Sequence, residues 1–138
     1  MIKLRKTDKE TIIAHARAQL PEEACGLLGG VLEENGDKTV KAVYLLTNTD
    51  HSPTHFSMDP REQLSAIRSM RQNGLVPLGN FHSHPETPSR PSEEDKRLAY
   101  DSTASYLILS LAEDTPVLKS FHIEGNAAAE EPFMITEE

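Results

Sequence analysis

A chain of 138 residues, 37% hydrophobic and 26% charged, fits one soluble globular domain with a real core and little room for a second. Its 22 acidic against 14 basic residues give a formal charge of -8, which argues against nucleic acid as a partner, because phosphate contacts need Lys and Arg. Cys25 is the single cysteine, so no intramolecular disulfide can form. No apolar run approaches a membrane span and residues 1–10 lack the apolar segment of a signal peptide, so a cytoplasmic protein is expected.

Thr7 and Glu10 have capping-box spacing. Ile12, Ile13, Ala16 and Leu20 then recur at helical intervals until Pro21, which predicts a first helix. An apolar run follows and leads to Asn35-Gly36, a two-residue hairpin signal, with residues 39–47 pairing back as the return strand. Asp59-Pro60 opens a second helix, with Glu62 where a capping-box acid would sit. Leu64, Ile67 and Met70 form its apolar stripe, and Asn73-Gly74 closes it. Residues 75–81 read as a strand, residues 92 to about 101 as a third helix, and residues 106–111 and 117–123 as strands. Residues 128–136 suit one edge strand. With no repeat, linker or low-complexity tract, residues 1–138 are expected to form a single α/β domain, a sheet flanked by helices. Nothing in the pattern specifies an oligomeric state.

The chemistry concentrates in residues 80–95, NFHSHPETPSRPSEED. His82 and His84 end an apolar strand at positions i and i+2, which point to one face. A Pro-rich loop then brings Asp95 back in the first turn of a helix. Two neutral imidazoles and one carboxylate, with a fourth position open, is the donor set of a catalytic zinc. Local sequence allows a plainer account of each part. Two histidines on a strand can be packing residues, and Ser92-x-x-Asp95 is a helix-capping pattern. An Asp95 that ligates a metal would be less free to bond back to that cap. A zinc hydrolase also needs a general base. Glu22 and Glu23 are both candidates, and local sequence does not choose between them; Cys25 beside them reads as a small buried hydrophobe.

Glu23, then His82-Ser83-His84-Pro85, then Ser92 and Asp95 at the observed spacing, resembles the E…HxHx7SxxD motif of the JAMM (MPN+) metalloproteases. The segment from Pro21 to Gly30 resembles that family's P-x-E-x-C-G-x-L-x-G stretch. The runs DPREQL, LGNFHSHP, RPSEEDKRLA and SYLILSL fall in the family's order. The resemblance spans nearly the whole chain and is closest to the compact, stand-alone prokaryotic type. It implies a single MPN (JAMM, cytidine-deaminase-like) α/β domain, with a mixed β-sheet flanked by helices.

It also implies roles. His82, His84 and Asp95 would hold Zn2+ with water in the fourth position, that water's pKa falling from 15.7 to about 7. Glu23, rather than Glu22, would be the base that passes the proton to the leaving amine, and Ser92 would stabilise the oxyanion. The implied reaction is cleavage of a peptide or isopeptide bond after the C-terminal tail of a ubiquitin-like or sulfur-carrier protein. Short connections at residues 47–59 and 101–105 leave no room for ubiquitin-chain-gripping insertions, and the tail could dock as an added strand at an exposed sheet edge. Two alternatives stand beside this: a non-catalytic MPN-type scaffold, and an Fe(II) site of the two-histidine, one-carboxylate kind. His15, His51, His55 and His122 carry no assigned role.

Overall fold

Residues 1–137, which the computed structural model describes, form eight strands and three helices: β1 (Ile2–Arg5), α1 (Lys6–Gln19), β2 (Cys25–Leu32), β3 (Lys38–Leu46), α2 (Pro60–Gln72), β4 (Val76–His84), α3 (Glu93–Arg97), β5 (Ser105–Ser110), β6 (Val117–Glu124), β7 (Ala127–Glu131) and β8 (Phe133–Thr136). The strands make one mixed sheet in the order β7-β6-β5-β4-β2-β3-β1-β8. β4 runs parallel to β5 and antiparallel to β2. The expected mixed α/β sheet is therefore observed.

The sheet is strongly curled. β7 and β8 stand at its opposite ends, yet only Pro132 separates Glu131 from Phe133. Two residues of chain reach about 7 Å at most, so the end strands must come together. Ile2 donates its N–H to the Pro132 carbonyl at 3.2 Å. Across the interior, the buried Lys38 amine on β3 donates to Ser105 Oγ on β5 at 2.9 Å and to the Leu78 carbonyl on β4 at 3.2 Å.

Helices cover the sheet through different faces. Ile12 and Ala16 of α1 join Leu4, Leu28, Val40, Phe81 and Leu109 in the main core. The next residue of β2, Gly29, faces α2 instead: a Cβ there would meet Met70 Cγ at 2.9 Å. α2 docks on that glycine through Met70 and Ala66, both buried.

Several local expectations shift. β1 precedes α1, and Asp8 rather than Thr7–Glu10 makes the cap, accepting from the Arg5 N–H at 3.2 Å and from its guanidinium at 2.8 and 2.9 Å. The hairpin between β2 and β3 is a five-residue loop closed by Glu33 N–H to the Asp37 carbonyl at 2.8 Å, with Gly36 at φ 90°. Asp59 caps α2 as expected, but Glu62 reaches out to the Thr47 N–H and hydroxyl at 2.6 and 2.9 Å, and Leu64 is 52% exposed. α3 ends at Arg97, and Asp101 begins a turn that accepts from Thr103 N–H at 2.9 Å. Residues 127–136 form two strands on opposite sheet edges, because Pro132 has no N–H to continue a ladder.

Candidate metal centre

β4 carries the imidazoles, and its last three residues are all buried. His82 Nε2 and His84 Nε2 lie 3.1 Å apart, and Asp95 Oδ2 lies 3.1 Å from each. Three donor atoms thus form an equilateral triangle, the one such His/Cys/Asp/Glu cluster found among the described residues. A tetrahedral ion with ligand bonds of about 2.0–2.1 Å separates its ligand atoms by roughly 3.3–3.4 Å, so the triangle has the size a divalent ion needs. The protonation pattern fits as well. His84 Nδ1 lies 2.9 Å from the Pro88 carbonyl, which only accepts, so Nδ1 carries a hydrogen and Nε2, which hydrogen-bonds Asp95 Oδ2, is the nitrogen that would give up its proton to bind an ion. His82 stacks on Phe56 with ring centroids 4.7 Å apart.

Ser92 and Asp95 resolve the conflict posed by their capping pattern. Asp95 Oδ2 accepts the Ser92 N–H at 2.9 Å while also facing both imidazoles, and Ser92 Oγ accepts the Asp95 N–H at 3.0 Å. One carboxylate oxygen serves cap and triangle together, so the cap orients the ligand. Ser92 Oγ spends only a lone pair, and its hydroxyl hydrogen stays free to donate. Burial works against an ionised Asp95, but hydrogen bonds from His82 and His84 hold its carboxyl well below the usual carboxylate range. Burial pushes His82 down. His84 is also opposed by burial, yet is raised by Asp95 and the Pro88 carbonyl.

Glu23 arrives from β2. Cys25 pairs with His82, and Ala24 exchanges bonds with Ser83: its N–H to Ser83 Oγ at 2.8 Å, and Ser83 N–H to its carbonyl at 3.0 Å. Continuing that register puts Glu23 opposite His84. Glu23 is 4% exposed, and its Oε1 has no partner among the described residues. Burial pushes the carboxyl up to about 8, with His84 opposing and Asp95 and Glu94 adding to the shift. Glu22 instead faces outward and bonds His51 Nδ1 at 3.1 Å. Cys25 is buried, and desolvation lifts its thiol to about 12, in keeping with an inert packing residue.

Two supports had no sequence signal. Asn48, 2% exposed, donates to the Glu23 carbonyl at 3.0 Å and to the His55 carbonyl at 3.1 Å, and accepts from Asp50 and Ser57 N–H groups. It ties the 47–59 connection to the backbone of Glu23. Phe56, at the end of the same connection, supplies the stacking face for His82. Both come from a loop of polar and small residues in which nothing marks one Asn or one Phe as special. Of the other histidines, His51 and His55 are exposed and bond Glu22 and Asp50 respectively, while His122 reaches Glu131 at 2.8 Å. None joins the triangle.

Cavities open on both sides of the centre. One of about 370 Å³ lies beside His82 and Asp95, lined by Phe56, Asn80, Leu98 and Tyr106. Another of about 240 Å³ lies beside His84 and Ser92. β4 has β2 on one side and β5 on the other, so the strand that carries the imidazoles has no free edge of its own.

A curled mixed sheet that gathers two histidines and an aspartate beside a serine hydroxyl and a buried glutamate fits a hydrolase of the JAB/MPN class. The profile of prokaryotic homologs of the JAB domain matches residues 7–124, and the chain belongs to that family. It is 36% identical over 128 residues to the CysO-cysteine peptidase of Mycobacterium tuberculosis, covering 92% of this chain and 86% of that protein. It is 32% identical over 107 residues to the desampylase of Haloferax volcanii, covering 74% and 75% respectively. The solution structure of a Desulfitobacterium hafniense protein superposes with a TM-score of 0.92 at 59% identity, covering 100% of this chain and 94% of that one.

Proposed function

We propose that this protein is a zinc peptidase that hydrolyses the peptide or isopeptide bond following the C-terminal tail of a ubiquitin-like or sulfur-carrier protein. The observation that carries the reading is the 3.1 Å triangle of His82, His84 and Asp95 with the buried, unpartnered Glu23 across the β2–β4 ladder. The names of the mycobacterial and haloarchaeal relatives support the substrate class. Zinc held by the three side chains supplies Lewis acidity and brings the pKa of water to about 7.

The chain's own residues then divide the work. The Glu23 carboxylate takes the proton that water gives up as it adds to the scissile carbonyl, and hands it to the departing nitrogen, so that the C–N bond breaks to a carboxylate and an amine. Glu23 Oε1, buried and without a partner among the described residues, is free for that proton. Ser92 donates its free hydroxyl hydrogen to the oxyanion as the carbonyl becomes tetrahedral. The Pro88 carbonyl keeps His84 in the ligating tautomer, and the cap keeps Asp95 aimed.

The tail lies in the groove beside His82. That cavity shares Asn80 and Tyr106 with a second one of about 290 Å³, so the two together accommodate several extended residues. The unpaired Cys25 suits a reducing cytoplasm. Among the described residues no helix is long and apolar enough to cross a membrane.

The test is direct. Purified protein is assayed for zinc and incubated with carrier–cysteine and carrier–lysine conjugates. Stoichiometric zinc, with cleavage that a chelator stops and added zinc restores, is the expected result. Zinc-loaded protein that leaves every conjugate intact would overturn the reading.

A further inference from the structure

The two cavities beside the metal centre differ in charge. The larger carries Glu94 and Asp95 on its wall and no cation. The smaller is lined by His84, Thr87, Pro88, Arg90, Pro91 and Ser92, and no carboxylate borders it. Arg90 is exposed, and among the described residues its guanidinium has neither a hydrogen bond nor an ion pair. A cation this close to a reaction centre, left without a partner, is suited to a substrate anion.

The loop that carries Arg90 is held firmly. Ser110 Oγ donates to the Thr87 carbonyl at 2.6 Å, Ser89 Oγ to the Ile108 carbonyl at 2.7 Å, and His84 Nδ1 to the Pro88 carbonyl at 2.9 Å. Arg90 N–H closes a turn onto Pro88 at 2.9 Å. Three anchors on β4 and β5 therefore fix the backbone from which the guanidinium projects. Its planar fork matches a carboxylate, and no second cation lines the cavity as a phosphate site would want.

The side of the centre also matters. Glu23, which protonates the departing nitrogen, stands opposite His84 rather than His82. The leaving group therefore departs on the His84 side, where the small cavity lies, while the long groove on the His82 side takes the tail. We propose that the cavity beside His84 and Ser92 receives the leaving amine and that Arg90 grips its α-carboxylate, making the preferred substrate a carrier tail joined to a single free amino acid. This deepens the peptidase reading and rests on it. A lysine side-chain isopeptide within a protein offers no free carboxylate next to the scissile nitrogen, so it would be cut more slowly.

The experiment compares the CysO carrier joined to cysteine with the same carrier joined to cysteinamide, which differ only in the carboxylate. Wild type is expected to favour the acid by about tenfold in kcat/KM, with Arg90→Ala losing that factor on the acid and leaving the amide unchanged. Arg90→Lys should regain part of the preference, and Arg90→Glu should invert it. Zinc content and melting temperature, unchanged across the series, report folding. Equal cleavage of acid and amide by wild type, or an Arg90→Ala loss shared by both substrates, would overturn the role of Arg90 and leave the peptidase reading standing. A zinc-loaded wild type that cuts neither substrate overturns both.

Discussion

The proposed metal ligands and the proposed base come together by different routes. His82, His84, Ser92 and Asp95 come from fourteen consecutive residues, and their geometry is set by short-range contacts: a strand pleat, one anchored loop and one helix cap. Glu23 comes from nearly sixty residues earlier, held by the β2–β4 ladder and by Asn48. The ligand half can keep its shape when the base half is disturbed, but the reaction needs both. Substitutions on the two sides should therefore fail in different ways.

Asp95→Ala should have the largest effect. It removes one triangle vertex and the cap partner of Ser92, so zinc content should fall to background by metal analysis and cleavage should become undetectable. Glu23→Gln should keep full zinc and lose roughly 10²–10⁴ in kcat, since only proton transfer is removed. Retention of wild-type turnover by that variant would break the assignment of the base. Ser92→Ala should lose roughly 10²–10³ in kcat with zinc bound, and about 1 kcal/mol of stability in a denaturant titration from the missing cap.

Asn48→Ala probes the long-range side alone. It leaves the Glu23 and His55 carbonyls unpartnered in a buried setting, so about 1–3 kcal/mol of stability should be lost, with turnover reduced and zinc content unchanged. The smallest effect is in the pH dependence of the metal-free protein. Glu23 has a folded pKa of about 8 against 4.5 for the free side chain, so the folded state holds its proton more tightly. Its contribution is full below about pH 4.5 and is lost as pH rises toward 8, with a slope of at most about 1.4 kcal/mol per unit. Asp95 has the opposite sign: its depressed pKa contributes above the ordinary carboxylate range and is lost as pH falls through it. Chelated Glu23→Gln should therefore lose less stability than chelated wild type between pH 5 and 8. Parallel curves for the two would contradict a buried, proton-holding Glu23.

Helix starts were legible where the cap is local: Asp59-Pro60 opens α2 in the expected manner. They were misread where a tertiary partner competes. Glu62 has the spacing of a capping acid, yet the end of β3 offers it two donors at Thr47. Leu64 belongs to a helical stripe by spacing, but α2 docks on Gly29 through Met70 and Ala66, which turns Leu64 to solvent. The terminal strands were legible only in outline, with one edge strand expected over residues 128–136 where the structure has two. β7 and β8 have short, mixed patterns, and each becomes a strand only because the curled sheet presents an edge to it.

Sequence alone pointed to the His82, His84 and Asp95 cluster, because a strand's two-residue period and a helix cap are local rules that put the three within reach of one another. It also specified a mixed α/β sheet and, through the family resemblance, Glu23 over Glu22. Only the tertiary structure decided that the sheet curls and holds β4 between two neighbours, that one oxygen of Asp95 serves cap and triangle together, and that Glu23 is buried while Arg90 has no partner among the described residues. Burial and charge pairing depend on what residues distant in the chain bring to one place, and no local spacing contains that information.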